Sequence, residues 1–581
     1  MKQLRHTLLL FTLPLAILET LAFITIAKAQ ITPDNSLGAE SSIVNPDVIK
    51  NIPSDRIDGG AIRGSSLFHS FQEFNVGEGR GAYFSNPAQI TNILTRVTGS
   101  NASNILGKLG VLGNANLFLL NPKGIFFGPN ASLDLGGSFF GTTADSFIFN
   151  NNFEFSASNP QAVPQLTINI PIGLRFRDNP GSIQIQGDGQ GLRSTTELID
   201  TASGLRVQPN QTLALVGGDV FLEGATLKTA GGRIELGSVA GSGLVSITPI
   251  NKGFALGYGN VQNFGNIQLS QQAAVDASGL GGGDIQVWGR RITLTNGSQI
   301  EASTLGDQKG GLLLVNATEQ VEAVGISFDG RFPSALATQA YTGTTGAAGD
   351  LIVNTSQLLV RDGALIDGST FGTGNAGIIK INATGNISVD GFGTKISSAV
   401  DSSAVGNSGG IEINTNNLSL TNDAEISANT NGRGNAGIVK INATGNITAD
   451  GGSEISSSVD SSAIGNSGGI EINTNNLSLT DGTEISASTF GEGNAGIIKI
   501  NATGNITADG GSEISSTVGF FVDGNSSGIE INTNNLSLTN GAQINASTRG
   551  NGNAGRIIIN ATGNICNRSQ DLKRYSQKKG Y

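Results

Sequence analysis

The chain has 581 residues, a formal net charge of −11, and 84 glycines, but one cysteine and two histidines. A single ordinary globular core does not grow to this length, so several domains or a repeat array is expected. Cys566 alone excludes an internal disulfide and a CxxC-type metal site, His6 and His69 do not make a His-rich zinc site, and an acidic balance without internal basic clusters excludes nucleic acid as the partner. Glycine stands at about twice the usual share without a G-x-y period, and β-branched residues are plentiful, which points to many short strands joined by tight turns. Aromatics are 6% of the chain, so the core is expected to be built mainly from Ile, Val, Leu and Ala.

Residues 1–29 read as a signal peptide. Lys2 and Arg5 precede an apolar stretch from Leu8 to about Ile26, and Ala27-Lys28-Ala29 supplies the small residues that signal peptidase accepts, with cleavage between Ala29 and Gln30. Cleavage removes Lys2, Arg5, Lys28 and Glu19, a net +2, and leaves the mature chain near −13. No later stretch is apolar enough to span a bilayer, so the mature product is expected to be secreted, acidic and without a transmembrane segment.

Residues 30–155 are not repetitive. They carry Gly59-Gly60, Leu67-Phe68-His69-Ser70-Phe71, Arg96-Val97-Thr98-Gly99, Asn114-Ala115-Asn116-Leu117, Asn121-Pro122-Lys123-Gly124-Ile125 and Gly137-Ser138-Phe139. Asn-Pro-x-Gly is a tight-turn signature, because Pro122 presets φ at the second position and Gly124 accepts a positive φ. His69 sits in the alternating strand "SLFHSF" and reads as a structural or half-exposed histidine rather than a general base.

These motifs closely resemble the secretion domain of filamentous-haemagglutinin-like exoproteins of the two-partner secretion pathway. The chain departs from the family pattern at Ala115, where the family has proline, and at Lys123, where it has asparagine. The resemblance implies that the domain is itself a capped β-helix segment, recognised by an outer-membrane transporter through its periplasmic domains. It further implies Asn114, Asn116, Asn121, Pro122, Gly124 and Ile125 as recognition positions, and a product that is secreted or displayed at the surface by way of the periplasm and outer membrane.

Residues 156–282 are expected to continue the β-helix with irregular coils. "GLGGGDIQV" at Gly279 precedes a strand and is a turn, not a phosphate loop. From about Gly283 to residue 566 the chain falls into coils of the form G-x-I-x-I-N, turn, N-[IL]-x-L, turn, "EIS". They pair from about Gly374 into a repeat of 59 or 60 residues, so that Ile378, Ile438 and Ile497 correspond. Three short strands per turn cannot bury a face alone, whereas stacked turns can. The fold class is therefore all-β: a right-handed parallel β-helix, the handedness following from strand-crossover chirality.

In "GIIKIN", Ile379 and Ile381 are expected to point inward, Lys380 outward, and Asn382 to turn the corner. The same asparagine recurs at Asn316, Asn354, Asn414, Asn442, Asn473, Asn501, Asn532 and Asn560, and stacked amides are expected to bond into a ladder rather than serve as glycosylation sites. One outward column reads Lys380, Glu412, Lys440, Glu471, Lys499, Glu530, alternating in sign as a register device. Another contains Glu425, Glu454, Glu484 and Glu513, either splayed into solvent or bridged by calcium. Between near-identical repeats the loops vary at Phe371, Arg433, Phe490 and Arg549, and at Phe520 and Phe521, where a contact surface and free drift explain the sequence equally. Residues 567–581 read as a polar, basic tail, for which a polar cap or disordered end and a truncated product explain the sequence equally.

No catalytic residues and no cofactor are expected, because the charges are spread as regular columns and the repeats are too alike to specialise one coil. The leading reading is an adhesin-like exoprotein with a solenoid stalk whose loops meet a glycan or cell-surface receptor. The rivals are a β-helix polysaccharide lyase or hydrolase, and passive envelope or matrix material.

Overall fold

The computed structural model describes residues 31–150, 153–165, 170–192 and 204–567. The signal peptide with its Ala29–Gln30 junction and the basic tail from Arg568 lie outside the described residues. The helical content among the described residues is one 3₁₀ turn, Gly38–Glu40; all other regular structure is strand.

The alternation in "GIIKIN" produces the strand Ile379–Ala383, with Ile379, Ile381 and Ala383 buried and Lys380 and Asn382 facing outward. It pairs in parallel with Asp350–Thr355 below and Ile411–Thr415 above. The second strand of the same coil, Asn386–Asp390, pairs with Gln357–Arg361 and Asn417–Thr421, and the third, Lys395–Ser397, with Leu365–Asp367 and Glu425–Ser427. Each coil thus buries one row of Ile, Val, Leu or Ala per side, and stacking turns those rows into columns. The third strands make a 12-stranded sheet, and the first and second strands share a 31-stranded one.

Parallel stacking starts long before the obvious repeats. Ser66–Phe74 pairs in parallel with Asn92–Val97, which pairs with Asn116–Leu120, and the chain of partners continues to Ile557–Ala561. One hydrophobic cluster runs through it from Ile31 to Ala546. The first end is closed by antiparallel elements: Ile31–Pro33 crosses Ser66–Phe74, and the hairpin Ser42–Ile49/Ile52–Gly59 joins the parallel set through Gly81–Ser85. A five-stranded antiparallel sheet, which includes Ser146–Ile148 and the hairpin Gly243–Ile250/Gly253–Val261, packs outside the coils over a second, phenylalanine-rich cluster.

One sequence expectation, a core mainly of Ile, Val, Leu and Ala, holds with a local exception, and another changes. The buried hydrophobic residues after Gly283 are all Ile, Val, Leu or Ala, but the preceding coils bury aromatic rings, including Phe68, Phe71, Phe118, Phe139 and Phe140. The low overall aromatic share hides this concentration. Asn382, moreover, does not turn the corner. It occupies an outward position inside its strand, and the chain turns after Ala383, because that alanine still points into the core.

Asparagines bond along the axis. Asn382 Nδ2 donates to Asn354 Oδ1 at 2.8 Å, Asn414 to Asn382 at 3.0 Å, and Asn442 to Asn414 at 2.9 Å; the series continues through Asn473, Asn501, Asn532 and Asn560. It begins with Asn354 Nδ2 donating to Asn316 Oδ1. Asn386, Asn417, Asn446, Asn476, Asn505 and Asn535 make another at the start of the second strand, where side-chain and backbone N–H donors alternate. A third series, through Asn375, Asn407, Asn435 and Asn466, receives backbone N–H groups at the loop before the first strand. The sequence reading missed these last two, although their recurrence is visible in the repeats.

Candidate secretion-recognition region and contact groove

The Asn-Pro-Lys-Gly turn forms as its residues require. Gly124 N donates to Asn121 O at 3.1 Å, and Lys123 N to Asn121 Oδ1 at 3.0 Å. Gly124 has φ +125°, and a Cβ there would lie 3.1 Å from Ser182 O, so the position needs glycine. The Asn121 amide is wholly buried and donates to Asn101 O and Ser103 Oγ, both at 3.0 Å. Ile125 is in the core, paired with Ser103 and Ile183 in the neighbouring coils. Asn116 is half-buried between coils: it donates to Asn92 Oδ1 at 2.9 Å and accepts Ser138 N at 2.8 Å. The outer surface of these motifs is Asn114 and Lys123, which are exposed, and Pro122, which is half-exposed. The motif residues therefore separate into an inward set that locks coils together and an outward set that a folded partner can touch.

A buried network holds this region to the cap. Arg96 has no solvent exposure; its guanidinium donates to Ser70 Oγ (2.9 Å), Ser36 Oγ (2.8 Å), Ser156 O (3.0 Å) and Gln161 O (2.9 Å). Burial pushes its pKa down to about 10, which leaves it charged at neutral pH. Asp34, which accepts from Ser36 N, Ser70 Oγ and Thr98 Oγ1, has a carboxyl held below its usual value; burial opposes that shift and the hydrogen bonds outweigh it. Arg63 repeats the device. It is 5% exposed, pairs with Glu40 at 2.6 Å, and donates to Val163 O and Pro164 O. Two arginines 33 positions apart thus grip one extra-helical segment. His69 is fully buried, shares a 2.9 Å bond between Nδ1 and Ser42 Oγ, and is pushed down to about 3 by desolvation. A neutral, enclosed imidazole belongs to the packing.

On the solenoid, the two outward columns stack in the order of the repeats. Lys380, Glu412, Lys440, Glu471, Lys499 and Glu530 are successive neighbours, with ion pairs of 3.2 Å for Lys380–Glu412 and 3.5 Å for Lys440–Glu471. Such exposed pairs contribute about 0.2–1 kcal/mol each. In the other column Glu425, Glu454, Glu484 and Glu513 are in register, and Lys395 meets Glu425 at 2.6 Å. Ser515 Oγ donates to Glu484, and Asn545 Nδ2 to Glu513. Glu454 has its pKa raised, by burial first and then by Glu425 and Glu484. Among the described residues no three Asp, Glu, His or Cys side chains converge as a metal-binding group.

This acidic column is one side of a groove. Two adjoining depressions share Asn429 and Asn431 and run along the third face. Their other side is Phe371, Asp401, Asn431, Asp460 and Phe490, which follow positions joined by parallel bridges from Thr370 through Val400, Thr430 and Val459 to Thr489. Phe371 and Phe490, singled out as variable loop residues, stand at the two ends of one column; Asp401, Asn431 and Asp460 lie between them. Phe520 lies further on, with Arg549 4.9 Å from its ring centroid, and Phe521 is 98% exposed.

Comparison with known proteins bears on the first half of the chain. The family profile described as the TPS secretion domain matches residues 29–287. Among solved structures, the HMW1 secretion domain from Haemophilus influenzae is similar at 16% identity and a TM-score of 0.45, over 75% of this chain and 97% of that one. The filamentous hemagglutinin secretion domain is similar at 17% identity and a TM-score of 0.29, over 61% of this chain and 99% of that one. A search of curated proteins returned no match. Residues 29–287 thus match the TPS secretion domain, the export domain of two-partner secretion.

Proposed function

We propose that this exoprotein is an adhesin-like surface protein: an outer-membrane transporter with periplasmic domains reads the exposed face of residues 114–125, and the third-face groove of the solenoid takes a glycan or other cell-surface ligand. The observation that carries the first half is the TPS match at residues 29–287. For export, a chain with one cysteine and mostly neighbour-to-neighbour contacts passes a pore without a disulfide to break and folds coil by coil as it emerges.

The groove reading rests on composition and reach. Aromatic rings at Phe371 and Phe490 offer flat apolar surfaces, and Asp401, Asn431, Asp460 and the serines between them offer hydrogen bonds, which together suit a linear, hydroxyl-rich ligand. Four coils at about 4.8 Å each give a usable length of about 19 Å. A glycan array with the full chain tests it: saturable binding that falls at least tenfold in Phe371→Ala/Phe490→Ala supports the groove, and binding that ignores both substitutions rejects it. The same glycans incubated with the protein and analysed for chain length address the lyase or hydrolase alternative, since shortening of any bound polymer would replace adhesion by catalysis. Loss of cell attachment on deletion separates adhesion from a passive matrix role.

A further inference from the structure

We infer that the first-strand face of the solenoid is a self-association surface, built to pack against the same face of a second copy running antiparallel. The position just before the first strand reads Ile378, Gly410, Ile438, Gly469, Ile497, Gly528 in six successive coils. The three isoleucines are 51%, 58% and 38% exposed. The intervening glycines are required, since they have φ near +85° and a Cβ would stand 2.8, 2.6 and 2.3 Å from the carbonyl oxygens of Ile438, Ile497 and Arg556. The result is a row of aliphatic knobs with a glycine-floored slot between each pair; Ile378 and Ile438 flank the one over Gly410. Knobs are spaced about 9.6 Å apart, two coil repeats.

Two residues further along each strand, the sign-alternating column has the same period and phase: lysine stands in every isoleucine coil and glutamate in every glycine coil. A two-fold axis running along the strands, between the coils of Ile438 and Gly469, lays each column on its own reversed copy. Every isoleucine then meets a glycine slot, as Ile378 over Gly528 and Ile438 over Gly469. In that same register every lysine meets a glutamate, as Lys380 over Glu530 and Lys440 over Glu471. A shift by one coil puts isoleucine on isoleucine and lysine on lysine, so shape and charge select one alignment together. A ligand of another kind has no reason to match both alternations, whereas a second copy matches them by symmetry. The six coils offer roughly 300 Å² per copy, well under the ~800 Å² of a standard interface, so the contact is weak and concentration-dependent, suited to copies crowded on one surface.

Cross-linking and sedimentation of the full chain test this. Lys380→Cys and Glu530→Cys are made separately in a Cys566→Ser background; the two sites are five coils apart in one molecule, so a disulfide between them reports a neighbour. Mixing should give the mixed pair in several-fold excess over either homodimer, and equal amounts or a homodimer excess would overturn the proposed register. In sedimentation at rising concentration, Lys440→Glu should abolish the wild-type increase in average mass and Lys440→Glu/Glu471→Lys should restore it. Failure of the double swap to restore it, with the fold intact by circular dichroism, or a wild type that stays monomeric at millimolar concentration, would equally sink the inference.

Discussion

The guanidinium of Arg96 lies 4.2 Å from the centroid of the Phe155 ring, and it joins residues that lie about sixty positions away on either side in sequence. Its donors reach Ser36 in the cap, Ser70 in the first parallel strand, and the carbonyls of Ser156 and Gln161 in the extra-helical segment. Arg96→Met keeps much of the stem packing but removes every charged donor and leaves those carbonyls unpaired. The expected cost is about 3 kcal/mol. In hydrogen exchange, protection should fall together at residues 31–36 and 153–165 while residues 379–567 are unchanged; uniform loss along the whole chain would contradict a local clamp.

Within the turn motif, Asn121 and Lys123 separate folding from recognition. Asn121→Ala deletes two buried bonds and the side-chain acceptor of the turn, and it should lower the unfolding temperature of the amino-terminal coils, with a loss of about 2 kcal/mol. Lys123→Glu should leave thermal unfolding within experimental error yet reduce export to the medium, as followed by immunoblot of cell and supernatant fractions. Unchanged export with Lys123→Glu would place the transporter contact elsewhere.

Asn442 is an interior rung, bonded to Asn414 below and Asn473 above. Replacing it by alanine breaks both amide bonds, but the freed partners are half-exposed and reach water. The expected loss is about 1 kcal/mol. Asn560→Ala removes only the bond to Asn532 within the described ladder and should cost less. Chemical denaturation of the two variants side by side checks the ranking.

Glu454 links stability to pH. Its folded pKa lies above the ordinary 4.5 because burial and the flanking Glu425 and Glu484 disfavour its charge. The folded state therefore binds the proton more tightly than the unfolded state, and this group's contribution worsens as pH rises from 4.5 through the folded pKa. Glu454→Gln should raise the unfolding temperature at pH 7 and change it little at pH 4. Calorimetry at both values measures the difference, and an equal shift at the two would remove the electrostatic cause.

The coil register is legible in the sequence because identical letters recur at a fixed spacing and each strand alternates with period two. Ile379, Ile381, Lys380 and Glu412 take their faces from that alone, and strand pairing agrees. The corner expected at Asn382 falls after Ala383 instead, because an outward asparagine inside a strand and one at a turn look alike when the following residue is a small alanine.

What the sequence determined by itself was the stacking: every coil needs its neighbours to cover its apolar row, so periodicity and partner choice are the same information. What only the tertiary structure decided was how the first end is sealed and what each repeated charge meets. Arg63 and Arg96 bind carbonyls 60 to 101 residues away that carry no repeating pattern. Glutamates with the same local sequence find different partners, Lys395 for Glu425, Ser456 for Glu454, Ser515 for Glu484 and Asn545 for Glu513, and for Glu454 burial and the neighbouring glutamates outweigh that bond. Contacts of that kind depend on burial and on single meetings between distant segments, and neither leaves a period to read.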